Sequence, residues 1–261
     1  MKNWILFLAS LVALGANASD ANISNDSLNI DQITQFNGTP WGIAVLNDQE
    51  AIITIKQGDA YRVNLVTGEK QALTGLPTVD NAGQGGLLDV AKSPVFTEQG
   101  WLYFTYSKPS NDGSRTTLAR AKLVNNTLTE WHDLLVSDSA TTETKHYGGR
   151  IAFDDQDHVF FSVGDRGVRE NAQELTNHAG SIIRLSLDGQ VPADNPFVTH
   201  ANIRNEIWSY GHRNPQGLFY DTNSHTLWSN EHGPRGGDEI NLIRPGANYG
   251  WPIVSYGKEY W

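Results

Sequence analysis

The sequence of 261 residues contains no cysteine, and this absence removes several classes of protein from consideration. Without thiols there is no disulfide framework, no cysteine nucleophile and no cysteine-ligated metal site. Charged residues make up only 18% of the chain, whereas glycine occurs 25 times and proline 10 times. This composition is typical of a soluble, turn-rich domain and argues against a long-helix or coiled-coil design.

Nucleotide-binding signatures are missing as well. No Gly-x-Gly-x-x-Gly follows a strand and opens a helix, and no phosphate loop occurs, so a Rossmann site for NAD is excluded. Basic residues are also few: 19 Lys and Arg stand against 29 Asp and Glu, which gives a formal net charge of −10. Because nucleic-acid binding depends on cationic contacts to phosphates, no nucleic-acid partner is expected.

The one strongly apolar run lies at the N-terminus. Lys2 precedes a run from Trp4 to Ala16, and small residues at Ala16 and Ala18 have the spacing that a signal peptidase reads. The run is shorter than the ~20 residues that span a bilayer, which favours a cleaved signal over a membrane anchor. We therefore expect an exported protein that is not inserted in a membrane. The expected organisation is a signal peptide at 1–18, a polar lead-in at 19–37 and one domain at 38–261.

One pattern recurs through the expected domain. A glycine opens a short apolar strand, a polar turn follows, and a second β-rich strand comes next. The copies begin at Gly42, Gly86, Gly149 and Gly217, with partner strands at 51–55, 101–106, 159–163 and 226–229. Repeated hairpins with almost no helical periodicity predict the blades of an all-β propeller; the alternative is a β-sandwich of unrelated hairpins. Four copies do not obviously close a ring, so we expect the propeller to be incomplete at its C-terminus.

The first group with chemical potential joins His146 to Asp165. His146 lies just before the first strand of the third hairpin, and Asp165 follows its second strand. A hairpin brings two such positions to the same end, about one strand spacing apart. A carboxylate there can fix the tautomer of the imidazole and raise its basicity, as a general base requires. The spacing alone leaves open a surface histidine beside a turn aspartate.

Two glycine- and proline-rich segments carry the other candidate ligands. In 207–217, Arg213 and Asn214 could present a charged fork and an amide to an anionic or carbonyl-rich ligand, or could simply cap backbone groups. In 230–241, carboxylates stand among residues that expose main-chain carbonyls, and calcium prefers such oxygen ligands. The spacing is not that of an EF-hand, and His232 has no second histidine at ligand spacing.

Together these strings resemble the soluble sugar dehydrogenases of the glucose/sorbosone dehydrogenase family, which depend on pyrroloquinoline quinone (PQQ), and in particular their periplasmic aldose sugar dehydrogenase branch. The resemblance runs from PWG at 40–42 to GWP at 250–252. Its most specific strings are GQGGL at 83–87, HYGGR at 146–150, GHRNPQG at 211–217 and EHGPRGGDE at 231–239. It implies a periplasmic six-bladed β-propeller, of which this chain supplies about the first four blades.

The resemblance implies oxidation of aldoses to lactones by hydride transfer to PQQ. His146 is implied to be the general base that removes the proton from the anomeric hydroxyl of the sugar, and Asp165 the acid that steadies it. Gln84 matches a polar residue near the substrate and the cofactor. Arg213 and Asn214 match the pair that contacts the quinone oxygens, where negative charge builds as hydride arrives.

Calcium is the second cofactor that the resemblance implies. The main-chain oxygens of Gly233 and Pro234 match ligands of the ion that holds PQQ and polarises its quinone carbonyl. Glu239 and Tyr249 match a second, structural calcium position.

Lys145 departs from the family pattern, because some members carry an acidic residue immediately before the catalytic histidine. The C-terminal blades of the family also supply basic residues to the PQQ carboxylates, and the chain ends before them.

Two other functions fit a propeller of this kind. One is a calcium-dependent, lactonase-type hydrolase, which would place metal-binding carboxylates and asparagines around the central channel. The other is a non-catalytic propeller that binds sugars. The hydrolase alternative explains poorly why His146, Arg213 and Gly233 stand in such specific strings. The expected partners are a small aldose and an external electron acceptor.

Overall fold

Antiparallel strands dominate the computed structural model of this protein, which describes residues 31–260. The predicted signal peptide at 1–18 and residues 19–30 of the predicted lead-in lie outside the described residues. Contacts divide the chain into residues 1–32 and residues 33–261, and the four sheets of the described part all belong to the second unit.

Each sheet is one blade made of consecutive strands. Blade 1 contains β1 (Pro40–Asn47), β2 (Glu50–Ile55), β3 (Ala60–Asn64) and β4 (Lys70–Ala72). Blade 2 contains β5 (Leu87–Lys92), β6 (Trp101–Ser110), β7 (Gly113–Val124) and β8 (Thr127–Val136), with the helical turn α1 (Phe96–Gln99) after β5. Blade 3 contains β9 (Ile151–Phe153), β10 (His158–Val163), β11 (Ser181–Ser186) and β12 (Ile207–Tyr210), with a 3-10 helix at Arg169–Gln173. Blade 4 contains β13 (Pro215–Asp221), β14 (Thr226–Glu231) and β15 (Glu239–Ile243). Between residues 31 and 260 no helix is long and apolar enough to cross a bilayer.

The hairpins predicted from the sequence are the first two strands of each blade. The register pairs Ile43 with Ile53, Val90 with Phe104, Ile151 with Phe161, and Leu218 with Ser229. The first strands of consecutive blades are neighbours, which places them at the inner edges of the sheets. The all-β propeller architecture is therefore confirmed and the β-sandwich alternative is wrong. In blade 2 the connection between the first two strands is longer than in the other blades, because it contains α1.

The hydrophobic core lies between the blades. Strand β6 shows how one sheet serves two neighbours: Leu102 and Phe104 pack toward blade 1, whereas Tyr103 packs toward blade 3. Alternate side chains of a strand point to opposite faces, so a central blade must be apolar on both. Complete burial of an apolar side chain of this size contributes roughly 1.5–3 kcal/mol to folding.

Hydroxyl groups on the second strands tie neighbouring blades together. Each accepts a hydrogen bond from a main-chain N–H of the first strand, or of the residue just before it, and donates one to a main-chain carbonyl at the inner edge of the next blade. The hydroxyls are those of Thr54, Thr105 and Ser162, and the carbonyls are those of Leu88, Gly149 and Pro215. This repeated contact fixes the distance between the inner edges, where the loops that carry the site begin.

The outer faces of the first and fourth blades expose apolar side chains. On β1, Ile43 and Val45 alternate and are 57% and 51% exposed. On blade 4, Phe219 lies opposite Trp228, and Ile240 lies on the same face of the sheet. Phe219 and Ile240 are 64% and 78% exposed. Each face is thus an apolar patch larger than single exposed residues would give.

Candidate active site

His146 and Asp165 form a hydrogen-bonded pair at one end of blade 3. The segment that ends at Gly149 leads into β9, and Asp165 follows β10, so the hairpin brings both to the same edge. The Nδ1 atom of His146 lies 2.7 Å from Oδ1 of Asp165. Because an ionised carboxylate only accepts hydrogen bonds, Nδ1 carries the proton when it is bonded to such a group. Asp165 is 1% exposed, so the pair is shielded from water.

The backbone around His146 is held in a left-handed conformation, with φ of 56°. The N–H of His146 donates to Oε1 of Gln84 over 2.7 Å. This bond brings a residue that precedes blade 2 to the His146–Asp165 pair, called the dyad below. Gly164 must lack a side chain, because a Cβ there would lie 2.2 Å from the carbonyl oxygen of His146. The position of the imidazole is therefore set by main-chain contacts on both sides.

A buried guanidinium supports the same segment. Arg166 is fully buried, and its carbon CZ lies 3.4 Å from the centre of the Tyr147 ring. It donates to the main-chain carbonyls of Lys145 and Glu143, and its own N–H donates to that of His146. Lys145, the departure from the family pattern, forms a surface ion pair with Glu143, with 3.2 Å between Nζ and Oε2.

The second acceptor atom of Asp165 is occupied by a residue that the sequence analysis did not assign. Trp251 donates from Nε1 to Oδ2 of Asp165 over 2.8 Å. The ring of Trp251 also lies 5.4 Å from the guanidinium of Arg213. The imidazole, the carboxylate, the indole and the guanidinium therefore form one continuous group. Trp251 and Asp165 are 86 residues apart, so no local spacing links them. The one sequence signal at this tryptophan is the GWP string at 250–252.

Arg213 is a buried cation that has no acidic partner among residues 31–260. It is 7% exposed, and its donors reach the carbonyl of His232 at 3.2 Å and the hydroxyl of Tyr260 at 3.3 Å. In the described part of the chain no carboxylate forms an ion pair with its guanidinium, and its buried Nε has no hydrogen-bond partner. A buried charge normally has a counter-charge, so this donor set fits an anionic, carbonyl-rich ligand.

Asn214 and Glu231 hold the loops that carry these groups. The side-chain oxygen of Asn214 accepts from the N–H of Gly148 over 3.2 Å, so part of this amide does cap the backbone. The carboxylate of Glu231 accepts from the N–H of Arg213 over 2.7 Å and pairs with Nδ1 of the buried His212 over 2.9 Å. Neither Glu231 nor His212 was assigned from the sequence, because their roles depend on how β14 meets the loop before β13.

The residues matched to calcium lie beside this group. A cavity of about 10 Å³, the size of a water molecule or a small ion, is lined by Glu231, Glu239 and Tyr249 among others. The hydroxyl of Tyr249 donates to the carbonyl of Leu242 and accepts from the N–H of Arg244. Because this hydroxyl is already engaged twice, the main-chain oxygen of Tyr249 is the better candidate to ligate an ion.

Main-chain oxygens also crowd the loop that follows β14. A Cβ built at Gly233 would lie 2.3 Å and 2.4 Å from the carbonyl oxygens of Gly236 and Gly237. The carbonyl oxygen of Pro234 faces Gly257, where a Cβ would lie 2.3 Å away. Nowhere in 31–260 do three or more His, Cys, Asp or Glu residues form a group that could hold a metal ion. The donor set thus fits a hard cation bound largely through main-chain oxygens.

Comparison with known proteins identifies the family of the chain. The family model described as Glucose / Sorbosone dehydrogenase matches residues 37–261. An aldose sugar dehydrogenase from Escherichia coli (strain K12) is 36% identical over 264 residues, covering 100% of this chain and 70% of that protein. Quinoprotein glucose dehydrogenase B from Acinetobacter calcoaceticus is 31% identical over 231 residues, covering 77% of this chain and 47% of that protein.

A solved structure agrees with these matches. The PQQ-bound form of an aldose sugar dehydrogenase from Streptomyces coelicolor has a TM-score of 0.75 and 30% identity, covering 87% of this chain and 66% of that one. The chain spans between 47% and 70% of the length of these three proteins. The match to the family model extends over all four blades, and on that basis the chain belongs to the glucose/sorbosone dehydrogenase family.

Proposed function

We propose that this chain carries the reaction centre of a PQQ- and calcium-dependent aldose dehydrogenase, which oxidises the anomeric carbon of a sugar to a lactone. The observation that carries the proposal is the convergence of the buried His146–Asp165 pair with Arg213, a buried cation that forms no ion pair in the described part of the chain. Two relatives, an aldose sugar dehydrogenase and a quinoprotein glucose dehydrogenase, support the same chemistry.

His146 acts as the general base. Its Nδ1–H is committed to Asp165, so Nε2 is the ring nitrogen that takes the proton from the anomeric hydroxyl. Asp165 holds the ring in this tautomer and stabilises the imidazolium that forms. The shielded carboxylate strengthens this effect, because charges interact more strongly away from bulk water.

PQQ, when bound, supplies the quinone that accepts the hydride from the sugar carbon. The guanidinium of Arg213 and the amide N–H groups of Asn214 would face its oxygens, and the buried position of both side chains keeps water from competing. Gln84 fixes the segment that carries the base, through its bond to the N–H of His146.

Calcium would be held in two places. The loop with Gly233 and Pro234 would bind the ion that contacts PQQ, and Glu239 with the main-chain oxygen of Tyr249 would bind the structural ion. The small cavity lined by Glu239 and Tyr249 supports the second assignment. In keeping with the predicted N-terminal signal, the enzyme would act in the periplasm and pass electrons to an external acceptor.

A redox-dye assay tests the proposal. Purified protein supplied with PQQ and calcium should reduce the dye when an aldose is added. His146→Ala should lose at least about 100-fold in turnover, which is the contribution expected of a general base, and should still bind PQQ. His225→Ala is the matched control, because His225 also pairs with an aspartate, Asp155, but is 63% exposed in its side chain.

Three outcomes would contradict the proposal. Full-length wild-type protein that is supplied with PQQ and calcium but oxidises no aldose excludes the dehydrogenase reaction. Lactone hydrolysis without PQQ would instead favour a hydrolase. Unchanged turnover in His146→Ala would remove this residue from the chemistry.

A further inference from the structure

We propose that Trp251 is a positioning residue of the reaction centre: its indole N–H locks the Asp165 carboxylate, and through it the ring of His146. The inference rests on the proposed function for its effect on turnover. The hydrogen bonds themselves, in contrast, can be examined without substrate or cofactor.

The two oxygens of the Asp165 carboxylate accept hydrogen bonds from different groups. Oδ1 accepts from Nδ1 of His146 and from the N–H of Gly167, both over 2.7 Å. Oδ2 accepts from the indole of Trp251 over 2.8 Å, the sole hydrogen bond found for this atom within residues 31–260. Without the indole, a buried oxygen of a 1% exposed carboxylate would lose this partner. The group could then rotate to share its charge differently, and the imidazole would lose its fixed orientation.

Trp251 is itself held firmly enough to act in this way. Its N–H donates to the carbonyl of Gly211 over 2.9 Å, and its carbonyl accepts from the side chain of Gln173 over 2.6 Å. The ring lies 4.8 Å from the guanidinium of Arg169 and 5.4 Å from that of Arg213. The residue is 8% exposed. One side chain therefore couples the carboxylate of the dyad to the cation proposed to face the quinone.

The charges around the dyad do not replace this contact. Arg166 directs its guanidinium to the main-chain carbonyls of Lys145 and Glu143, not to Asp165. Lys145 is paired with Glu143 at the surface. Arg213 reaches the carbonyl of His232. The indole is thus the side chain that restrains the far oxygen of Asp165.

The test compares Trp251→Phe with Trp208→Phe. Trp208 is a suitable control because it packs against Phe160 and Arg184 within blade 3 and contacts neither member of the dyad. In protein free of PQQ, the downfield imidazole N–H proton signal of His146 is assigned by its loss in Asp165→Asn. That signal should shift or broaden in Trp251→Phe and stay unchanged in Trp208→Phe.

The kinetic arm uses protein loaded with PQQ and calcium. Trp251→Phe should lower kcat roughly tenfold and leave KM for the sugar within about twofold, because the indole acts through Asp165 and not on the substrate. An unchanged imidazole signal together with an unchanged kcat overturns the proposal. A wild-type protein without dehydrogenase activity would overturn the proposed function, while the N–H signal would still decide the role of Trp251.

A reciprocal measurement covers the case in which Trp251→Phe does not fold. The chain has eight tryptophans, and their indole N–H groups can be labelled with nitrogen-15. Asp165→Asn should move one indole signal upfield, because a bond to a carboxylate becomes a bond to a neutral amide. If none of the eight signals moves, the Trp251–Asp165 bond does not exist in solution and the proposal fails.

Discussion

At the residue scale, two buried charged side chains near the candidate site, Arg166 and Glu231, form hydrogen bonds with main-chain groups. Arg166 is directed to carbonyls, and Glu231 accepts from the N–H of Arg213. Such contacts restrain loops without neutralising the side chains. At the candidate site this leaves Arg213 with positive charge to offer a ligand, since an ion pair with a neighbouring carboxylate would already have used it.

At the residue scale, the buried carboxyl of Asp89 should make the free energy of unfolding depend on pH. Its carboxylate accepts from Arg150 at 2.9 Å and from the N–H of Ile151 at 3.0 Å, which ties blade 2 to blade 3. Burial raises the pKa of Asp89 from 3.8 to about 6, and the guanidinium of Arg150 limits the rise. The folded protein therefore binds this proton more tightly than the unfolded chain does.

The raised pKa of Asp89 stabilises the folded protein at low pH more than at neutral pH. Because the folded pKa is raised, the contribution of Asp89 is complete below about pH 4 and is lost as the pH rises to about 6, by up to about 3 kcal/mol. Asp89→Asn should flatten this part of the curve of unfolding free energy against pH, measured by urea denaturation. Asp188→Asn, at a carboxyl whose pKa is lowered by the hydroxyl of Ser186, is the control. A curve for Asp89→Asn that keeps the slope of the wild type would contradict the assignment.

At the scale of elements, the sequence predicted the inner hairpin of every blade but not the outer strands. The inner hairpins carry a glycine, alternating apolar residues and a polar turn within about twenty residues, and such signals are local. Gly86 shows why the glycine recurs: a Cβ there would lie 1.9 Å from the carbonyl oxygen of Lys56 in the neighbouring blade. The third and fourth strands differ in length from blade to blade, and their positions depend on pairing with the strand before them.

At the same scale, side-chain hydroxyl groups join neighbouring blades through hydrogen bonds. Ser162 accepts from the N–H of Arg150 at 3.0 Å and donates to the carbonyl of Pro215 at 2.8 Å, so it joins the start of blade 3 to that of blade 4. Ser162→Ala should lower the free energy of unfolding by about 1–3 kcal/mol, because two buried main-chain groups lose their partner.

Urea unfolding checks this prediction, with Ser186→Ala as the control. Ser186 stands at the end of β11 and bonds the exposed side chain of Asp188. Its substitution should change the stability by less than about 0.5 kcal/mol. Equal effects of the two substitutions would show that the hydroxyl of Ser162 does not join the blades.

At the scale of the whole molecule, blades 1 and 4 each expose an apolar face. Phe219 and Ile240 share one exposed face, which should promote self-association of the 261-residue chain. Replacing both by lysine should reduce the apparent mass measured by light scattering at high protein concentration. Val66→Lys is the control, because Val66 is 74% exposed but stands alone in a turn. Self-association that persists after the double substitution would exclude this face as its cause.

The candidate site is likewise a property of the whole molecule. The N–H of His146 reaches Gln84 across 62 residues, and the N–H of Gly148 reaches Asn214 across 66. The sequence predicted His146, Asp165 and Arg213 as site residues, because each stands in a specific string near a predicted strand end. Their roles in catalysis stay predictions until the substitutions above are measured.

The sequence by itself determined the all-β class, the inner hairpins and the family, because turn chemistry, alternation and short motifs are encoded by neighbouring residues. Only the tertiary structure decided that Trp251 holds the far oxygen of Asp165 and that Arg213 lies buried with no acidic partner in 31–260. Those contacts join residues separated by tens of positions. Blade packing and strand register create them, and no local pattern specifies either.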